Sequence, residues 1–478
     1  MTARNIGVID TTLRDAHQCL WATRMTTAHM LPVADMMDNI GFERIDLAGT
    51  IQFDVCVRFL KEDPWERVRR MREKLVKTPM SAFTRSKSIM SFDFVPDDIV
   101  ELWVERLVAN GFREVATFDG LNDVDNMLVT INAARKLGVR AIGAVAYGLS
   151  PVHTDEVYVR TVSDLVTRGK VDAIWIKDAG GLLTVDRIRT LVPALRAAIG
   201  NIPIELHSHC MTGIAPLMYL EGIQAGADSV HTSIAPLANG AGQPATQSTV
   251  RNLRALGFRV DLDDALVDRV GEHFRKVGEQ EGKPLGEVQE YDAFHYEHQV
   301  PGGMLANFKV QLAELGMLNR FHDVLVECAR VRKELGYPIM ITPLAQFVGT
   351  QAVLNVLHGE RYKVIPDEVK KYALGYYGKL LAPVEGDVMD KIVCNGSPKI
   401  ATRPTGLELA VDKLRRQYPA MSDDERVLRF MYAGNQVDSM LAAGPMKTDY
   451  QFEAPLTHLV RELAARKISK VYFGASAA

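Results

Sequence analysis

Residues 171–209 read VDAIWIKDAGGLLTVDRIRTLVPALRAAIGNIPIELHSH. A short apolar run, Ala173–Lys177, leads into an amphipathic stretch, VDRIRTLVPALRAAIG, which a glycine closes before a second apolar run at Ile202–His207. Short runs that are apolar at nearly every position suit strands buried on both faces, and the glycine is of the helix-stop kind. The unit is strand, helix, strand. Similar runs stand at Ile6–Asp10, Arg44–Ala48, Met80–Thr84, Glu114–Asp119, Ala141–Tyr147 and Ser229–Ile234, with helical stretches such as PDDIVELWVERLVANG between them. Strand and helix repeated eight times in about 250 residues predict an α/β fold, a (β/α)8 TIM barrel. An open doubly wound sheet is the rival, but it usually carries a phosphate loop after its first strand, and that loop is missing here.

The chain has 478 residues, 47% of them hydrophobic and 24% charged, which gives room for a large domain and a second one. A net charge of -3 offers no electrostatic case for nucleic acid or an anionic membrane. Five cysteines lie scattered without disulfide or metal-type spacing, as expected for reduced thiols in a cytoplasm. The N-terminal MTARNIGVID has no signal-type apolar core, and no uninterrupted apolar run reaches membrane-spanning length. From about residue 296 the character changes: YEHQVPGGMLANFK breaks at Pro301-Gly302-Gly303, and helical patterns such as MLNRFHDVLVECARVRKELG follow. The expected division is a barrel over 1–295 and a helical domain over 296–478, whose tail FGASAA is expected to be loose.

Barrels of this kind do chemistry at the C-terminal ends of their strands. Polar residues gather there: DTTLRDAHQ after the first strand, Arg85 after the third, FDGLND after the fourth, IKDAGG at the sixth and ELHSHCMTG at the seventh. His207 and His209 are two apart, so on an extended strand both imidazoles share a face. With a carboxylate from another strand, Asp15 being the best placed, they make a set for a divalent ion. The plainer reading is two histidines bonded to backbone. Lys177 ends an apolar strand at the same rim, where an ammonium is a poor neighbour for a cation. Either it pairs with an acid such as Asp178, or CO2 carbamylates it into an anionic oxygen ligand.

The stretches DTTLRDAHQCLWATRM, RFLKEDPWERVR, IKDAGGLL, LHSHCMTG and VPGGMLANF resemble the carboxyltransferase component of biotin-dependent carboxylases. That family includes the pyruvate carboxylase carboxyltransferase domain, the transcarboxylase 5S subunit and the oxaloacetate decarboxylase alpha subunit. The likeness covers about residues 5 to 440. It implies a barrel with a helical funnel-like extension and a divalent metal, zinc first, with manganese or cobalt as alternatives. By position it places the metal on Asp15, Lys177 as its carbamate, His207 and His209. Arg14, Gln18 and Arg85 would hold the ketone, and Thr342 in the second domain would relay a proton. From the residues alone, Thr342-Pro343 reads as a helix N-terminus with threonine as cap. The implied activity moves CO2 between carboxybiotin and the methyl carbon of a ketone, pyruvate or oxaloacetate by default, through an enolate.

Some positions depart from that pattern. At the expected wall of the ketone pocket, Thr50 and Ile51 replace a glycine and an alanine and Phe92 stands where a tyrosine is usual; near the biotin pocket, Ala345 stands where a serine is usual. Drift explains this, or a different acceptor does, such as an aryl methyl ketone or its phosphorylated form. Lys447 in GPMKTDY lacks the second flanking methionine of a biotinylation site. Biotin is therefore expected on a separate carrier protein, with biotin carboxylase as a further chain. The resemblance also suggests a homodimer or larger assembly. Two rivals stand: a biotin-independent metal-dependent aldolase or lyase, and a scaffold that only docks the partner chains.

Overall fold

The computed structural model describes residues 3–314, 316–394 and 406–465. Eight strands, β1 (Gly7–Asp10), β2 (Arg44–Gly49), β3 (Met80–Thr84), β4 (Glu114–Phe118), β5 (Arg140–Ala146), β6 (Ala173–Asp178), β7 (Ile204–Ser208) and β8 (Ser229–Thr232), close into one barrel in chain order. All pairs are parallel, including β8 with β1. The predicted TIM barrel is the fold. Strands β2, β3, β4, β6, β7 and β8 are buried at every position, which is why their sequences lack alternation. The helix Asp97–Asn110 stops at Gly111 (φ +121°), and Val185–Ile199 stops at Gly200 (φ +62°). Glycine adopts both angles without a Cβ clash.

The barrel interior has two unlike sides. Phe83, Ala116, Phe118, Ile142, Ala144, Ala173 and Trp175 fill one, with Phe83 stacked on Phe118 at 4.8 Å and lying 4.7 Å from Trp175. On the other, Arg44, Asp46, Glu205, His207 and His231 are all buried. The register pairs Trp175 with Glu205 and Lys177 with His207, so these four share the inward face. In β2 the pairing slips between Asp46 and Ala48, a bulge at the rim that bends the strand as it reaches the mouth.

Beyond the barrel, the helices Phe321–Glu334 and Leu344–His358 pack together around Val324, Cys328, Val331, Phe347, Val348 and Ala352. Just before the second of them, Ile339 and Ile341 join the apolar side of the barrel interior. The helices Val411–Gln417, Asp423–Met431 and Gln436–Ala442 return to the outside of the barrel, where Leu414, Val427, Leu428 and Tyr432 enter its main core. Asp424 anchors them: its carboxylate accepts from Arg69, Arg106 and Asn110, and its carbonyl accepts from the Trp65 indole at 3.0 Å. The FGASAA tail lies outside the described residues. Among those described, no helix is long and apolar enough to cross a membrane.

Trp65 is buried edge-on to Phe53 at 4.7 Å and near Trp103 at 5.2 Å, under the returning helices. Trp65→Ala is expected to cost about 3–5 kcal/mol, seen as a lower urea midpoint.

Candidate metal centre at the barrel mouth

The single π-helical turn Thr12–Ala16 that follows β1 is buried throughout and delivers Arg14 and Asp15 to the barrel mouth. Asp15 Oδ2 lies 3.0 Å from His207 Nε2 and 3.3 Å from His209 Nε2, and the two imidazole nitrogens are 3.2 Å apart. The three atoms form a nearly equilateral triangle. Ligands held about 2.0–2.1 Å from a tetrahedral ion sit roughly 3.3 Å from one another, so the triangle has the size of one face of such a site. The donor set, one carboxylate and two imidazoles, suits a divalent transition ion. His209 stands one residue past the end of β7, not on the strand as the pattern predicts. Gly181, at φ +65°, lets the neighbouring loop pass; a Cβ there would lie 2.4 Å from the His209 carbonyl.

Lys177 Nζ is 3.3 Å from His207 Nε2 and lies over the Phe83 and Trp175 rings at 4.8 and 5.1 Å. The side chain is buried, yet among the described residues no carboxylate lies within ion-pair distance of it. An unpaired ammonium is costly in such a place, and burial pushes the Lys177 pKa down to about 8. The reading that pairs it with Asp178 fails. Adjacent strand residues face opposite ways, and Asp178 accepts instead from the Leu182 and Leu183 amides, both at 2.9 Å, and from Ser208 Oγ at 2.7 Å. Burial works against charge on Asp15 as well, but Arg14, Lys177 and His209 hold its carboxyl well below the usual range.

Arg14 bridges two acids, Asp15 at 2.9 Å and Asp46 at 2.6 Å, above the Phe83 ring. Gln52 bonds the Arg14 carbonyl at 2.9 Å and Gln18 Oε1 at 3.3 Å, tying the β2 loop to the β1 loop. Arg85 is half-buried: one nitrogen donates to the Ile89 carbonyl at 3.2 Å, its Nε is buried without a partner, and Phe92 covers the guanidinium at 5.7 Å. Among the described residues no acid forms an ion pair with Arg85, and desolvation pushes its pKa down to about 10. Thr50 and Ile51 open the helix Thr50–Val55, and none of the described side-chain hydrogen bonds joins them to Arg14, Gln18 or Arg85. Ile51 is 39% exposed and Phe92 45% exposed, more than the walls of a closed pocket would be. Thr342 does not cap a helix. It precedes Leu344–His358, and its Oγ1 accepts from Gln346 Nε2 at 3.1 Å.

Several contributors escaped the sequence reading. Gln243, in the loop after β8, sets its Nε2 2.9 Å from Asp15 Oδ2 and 3.4 and 3.2 Å from the Nε2 atoms of His207 and His209. Thr11 and Ser233 hold its Oε1. Asp46 was legible only as a charge inside an apolar strand. Cys19, set aside for lack of spacing, comes within 3.8 Å of His209 Nδ1.

Two family models match: one described as a conserved carboxylase domain over residues 296–440, and one described as HMGL-like over 119–272. A pyruvate carboxylase subunit from Methanocaldococcus jannaschii is 44% identical over 403 residues, covering 84% of this chain and 71% of the relative. The methylmalonyl-CoA carboxyltransferase 5S subunit of Propionibacterium freudenreichii is 34% identical, covering 84% of this chain and 80% of its own. The 2-oxoglutarate carboxylase large subunit of Hydrogenobacter thermophilus is 35% identical over 84% of this chain and 62% of its own length. The carboxyl transferase domain of Rhizobium etli pyruvate carboxylase, solved with pyruvate, superposes with a TM-score of 0.83 at 27% identity, covering 92% of this chain and 77% of that one.

If the triangle holds an ion, apo-protein titrated with Zn2+ or Co2+ should take up about one per chain. Asp15→Ala and His207→Ala should each bring bound metal, measured by elemental analysis after desalting, close to zero.

Proposed function

The chain belongs to the carboxyltransferase family of biotin-dependent carboxylases, and from that membership we propose that it moves a carboxyl group between carboxybiotin and the methyl carbon of a 2-oxo acid, pyruvate by default. The observation that carries this reading is the Asp15, His207 and His209 triangle beside a buried Lys177 with no acid to pair with. A partly neutral amine is the form that adds to CO2, giving an N-carboxylate and releasing one proton. The carbamate of Lys177 would then complete the ligand set with an anionic oxygen.

A divalent ion bound there, with zinc first and manganese or cobalt as alternatives, supplies positive charge for the oxygen of an enolising ketone, while carboxybiotin supplies CO2. The protein's own groups do the rest. Arg85, a guanidinium at the mouth lacking an acid partner, is placed to take the acceptor's carboxylate in a charge-assisted pair. Arg14, neutralised by Asp15 and Asp46, adds a fixed N–H-rich surface in a water-poor site. Gln18, held by Gln52, offers a polar side chain next to it. Thr342 Oγ1 accepts one bond from Gln346, which would leave its own proton free to pass to the ureido nitrogen left when carboxybiotin gives up CO2, as the oxygen takes one from the acceptor methyl.

The acids in the relatives' names favour a carboxylate-bearing acceptor over an aryl methyl ketone, whereas Arg85 could pair with a carboxylate or with the phosphate of a phosphorylated ketone. The changes at Thr50, Ile51 and Phe92 then read as variation at an exposed rim. The aldolase or lyase and scaffold readings are not favoured, given the match to the carboxylase domain over residues 296–440 and the Asp15, His207 and His209 triangle. The same reading divides the chain into a barrel domain over 1–295 and a helical domain over 296–478, with Ile339 and Ile341 carrying Thr342 toward the mouth. It places biotin on a carrier chain and CO2 activation on a biotin carboxylase chain, and takes the protein as a cytoplasmic homodimer or larger.

With labelled bicarbonate, ATP, carrier and biotin carboxylase, label should enter oxaloacetate from pyruvate; no labelled product from any 2-oxo acid would overturn the proposal. Thr342→Ala should keep its metal and lose transfer by about 100-fold or more. Transfer at the wild-type rate would remove the relay.

A further inference from the structure

Below the metal triangle the polar side of the barrel interior continues as a line of buried groups that the reaction just described does not use. His207 Nδ1 faces His231 Nδ1 on β8 at 3.3 Å. The other nitrogen of His231, Nε2, faces Glu205 Oε2 on β7 at 3.1 Å. Glu205 is held in turn by both terminal nitrogens of Arg44 on β2, one at 2.8 Å from Oε1. Arg44 also reaches Glu114 on β4 at 3.5 Å, and Glu114 meets Arg140 on β5 at 2.9 Å. The line thus runs from the metal triangle to the barrel floor. Trp175 locks the His231 ring from the side, with centroids 4.4 Å apart.

The bonding fixes the protons. Glu205, doubly held by Arg44, is a carboxylate and can only accept, so His231 Nε2 carries a proton. His231 is fully buried with Arg44 3.5 Å from the same nitrogen, which disfavours a second positive charge there. A neutral His231 with its proton on Nε2 has a bare lone pair on Nδ1. Two ring nitrogens 3.3 Å apart need one proton between them, so His207 Nδ1 must supply it. A neutral His207 with its proton on Nδ1 turns the lone pair of Nε2 toward Asp15 and His209.

We propose that His231, Glu205 and Arg44 are positioning residues that lock His207 in the tautomer whose Nε2 faces the ion. The proposal rests on the metal reading above. It gives the buried charges of the barrel floor a task beyond packing: they set one ligand's proton and ring angle, a role usually filled by a single carboxylate or carbonyl next to the ligand.

His231→Phe keeps a ring against Trp175 but offers His207 Nδ1–H no acceptor. His231→Gln offers a carbonyl oxygen to His207 and an amide N–H to Glu205, and so restores both bonds. With circular dichroism and thermal melting as folding controls, Zn2+ affinity is read by competition with a chromogenic chelator, and the visible spectrum of the Co2+ form reports ligand geometry. The phenylalanine variant should bind about 10–100-fold more weakly with an altered Co2+ spectrum, and the glutamine variant should recover most of the loss. A purely structural role would lower the melting point in both without that ordering. Phenylalanine binding as tightly as wild type overturns the proposal. Should that variant fail to fold, 15N-histidine NMR of zinc-loaded wild type decides: Nδ1–H on His207 with Nε2–H on His231 supports it, and the opposite tautomer of either overturns it. Wild type that binds no ion sinks the metal reading itself and this proposal with it.

Discussion

The carboxylate of Asp15 is where the charges of the barrel mouth meet. It is buried, and it touches Arg14, His207, His209 and Gln243 at 2.9–3.3 Å. A lone anion in that position would face a large desolvation cost, so the surrounding cation and N–H groups are a condition of its being charged at all. Arg14 in turn requires a second acid, Asp46, because one carboxylate shared with two imidazoles does not satisfy a buried guanidinium. Each buried charge draws in the next. The bulge in β2 just past Asp46 and the π-helical turn after β1 are the backbone features that let these side chains reach one another.

That network occupies half of the barrel interior; aromatic and small apolar side chains fill the other half. The division has an electrostatic use. Phe83 and Trp175 place π faces against Arg14 and Lys177, partners that attract a cation without accepting a proton from it. Lys177 therefore has aromatic rings rather than an acid within ion-pair distance, and burial favours its neutral form. Arg14 is buried against the same rings, so its field acts at low dielectric.

The fold was legible because most strands are short, largely apolar runs ended by polar residues, and several of the long helices stop at a glycine. Asp15, His207 and His209 converge as the strand-end pattern suggested, although His209 lies beyond the strand. The residues left Lys177 open between pairing with an acid and carbamylation, and the resemblance favoured the second; geometry rules out Asp178 as its partner. Gln243 was invisible for a physical reason. It lies in an irregular glycine-rich loop with no period, and its importance arises from how β8 meets β1 across the barrel's closure. Cys19 and Asp46 were hidden in the same way, since neither spacing along the chain nor residue type reveals a contact between distant strands. Thr50, Ile51 and Phe92 were expected near the ketone pocket; Ile51 and Phe92 stand exposed, and exposure is set by tertiary packing that their local sequence does not encode.

The segment that carries Thr342 shows why the helical part cannot be regarded as an accessory. Ile339 and Ile341 complete the apolar packing of the barrel interior beside Phe118 and Trp175, so the barrel's own core is unfinished without them. Leu344, at the start of the following helix, packs onto Gly120 in the loop after β4, where a Cβ would come within 3.2 Å of it. Thr342 lies between these two anchors, and Gln346, one helical turn on, holds its hydroxyl. The proposed relay would need that hydroxyl held to within a fraction of an ångström. Packing that residue between core contacts on either side supplies that constraint from the stability of the fold itself.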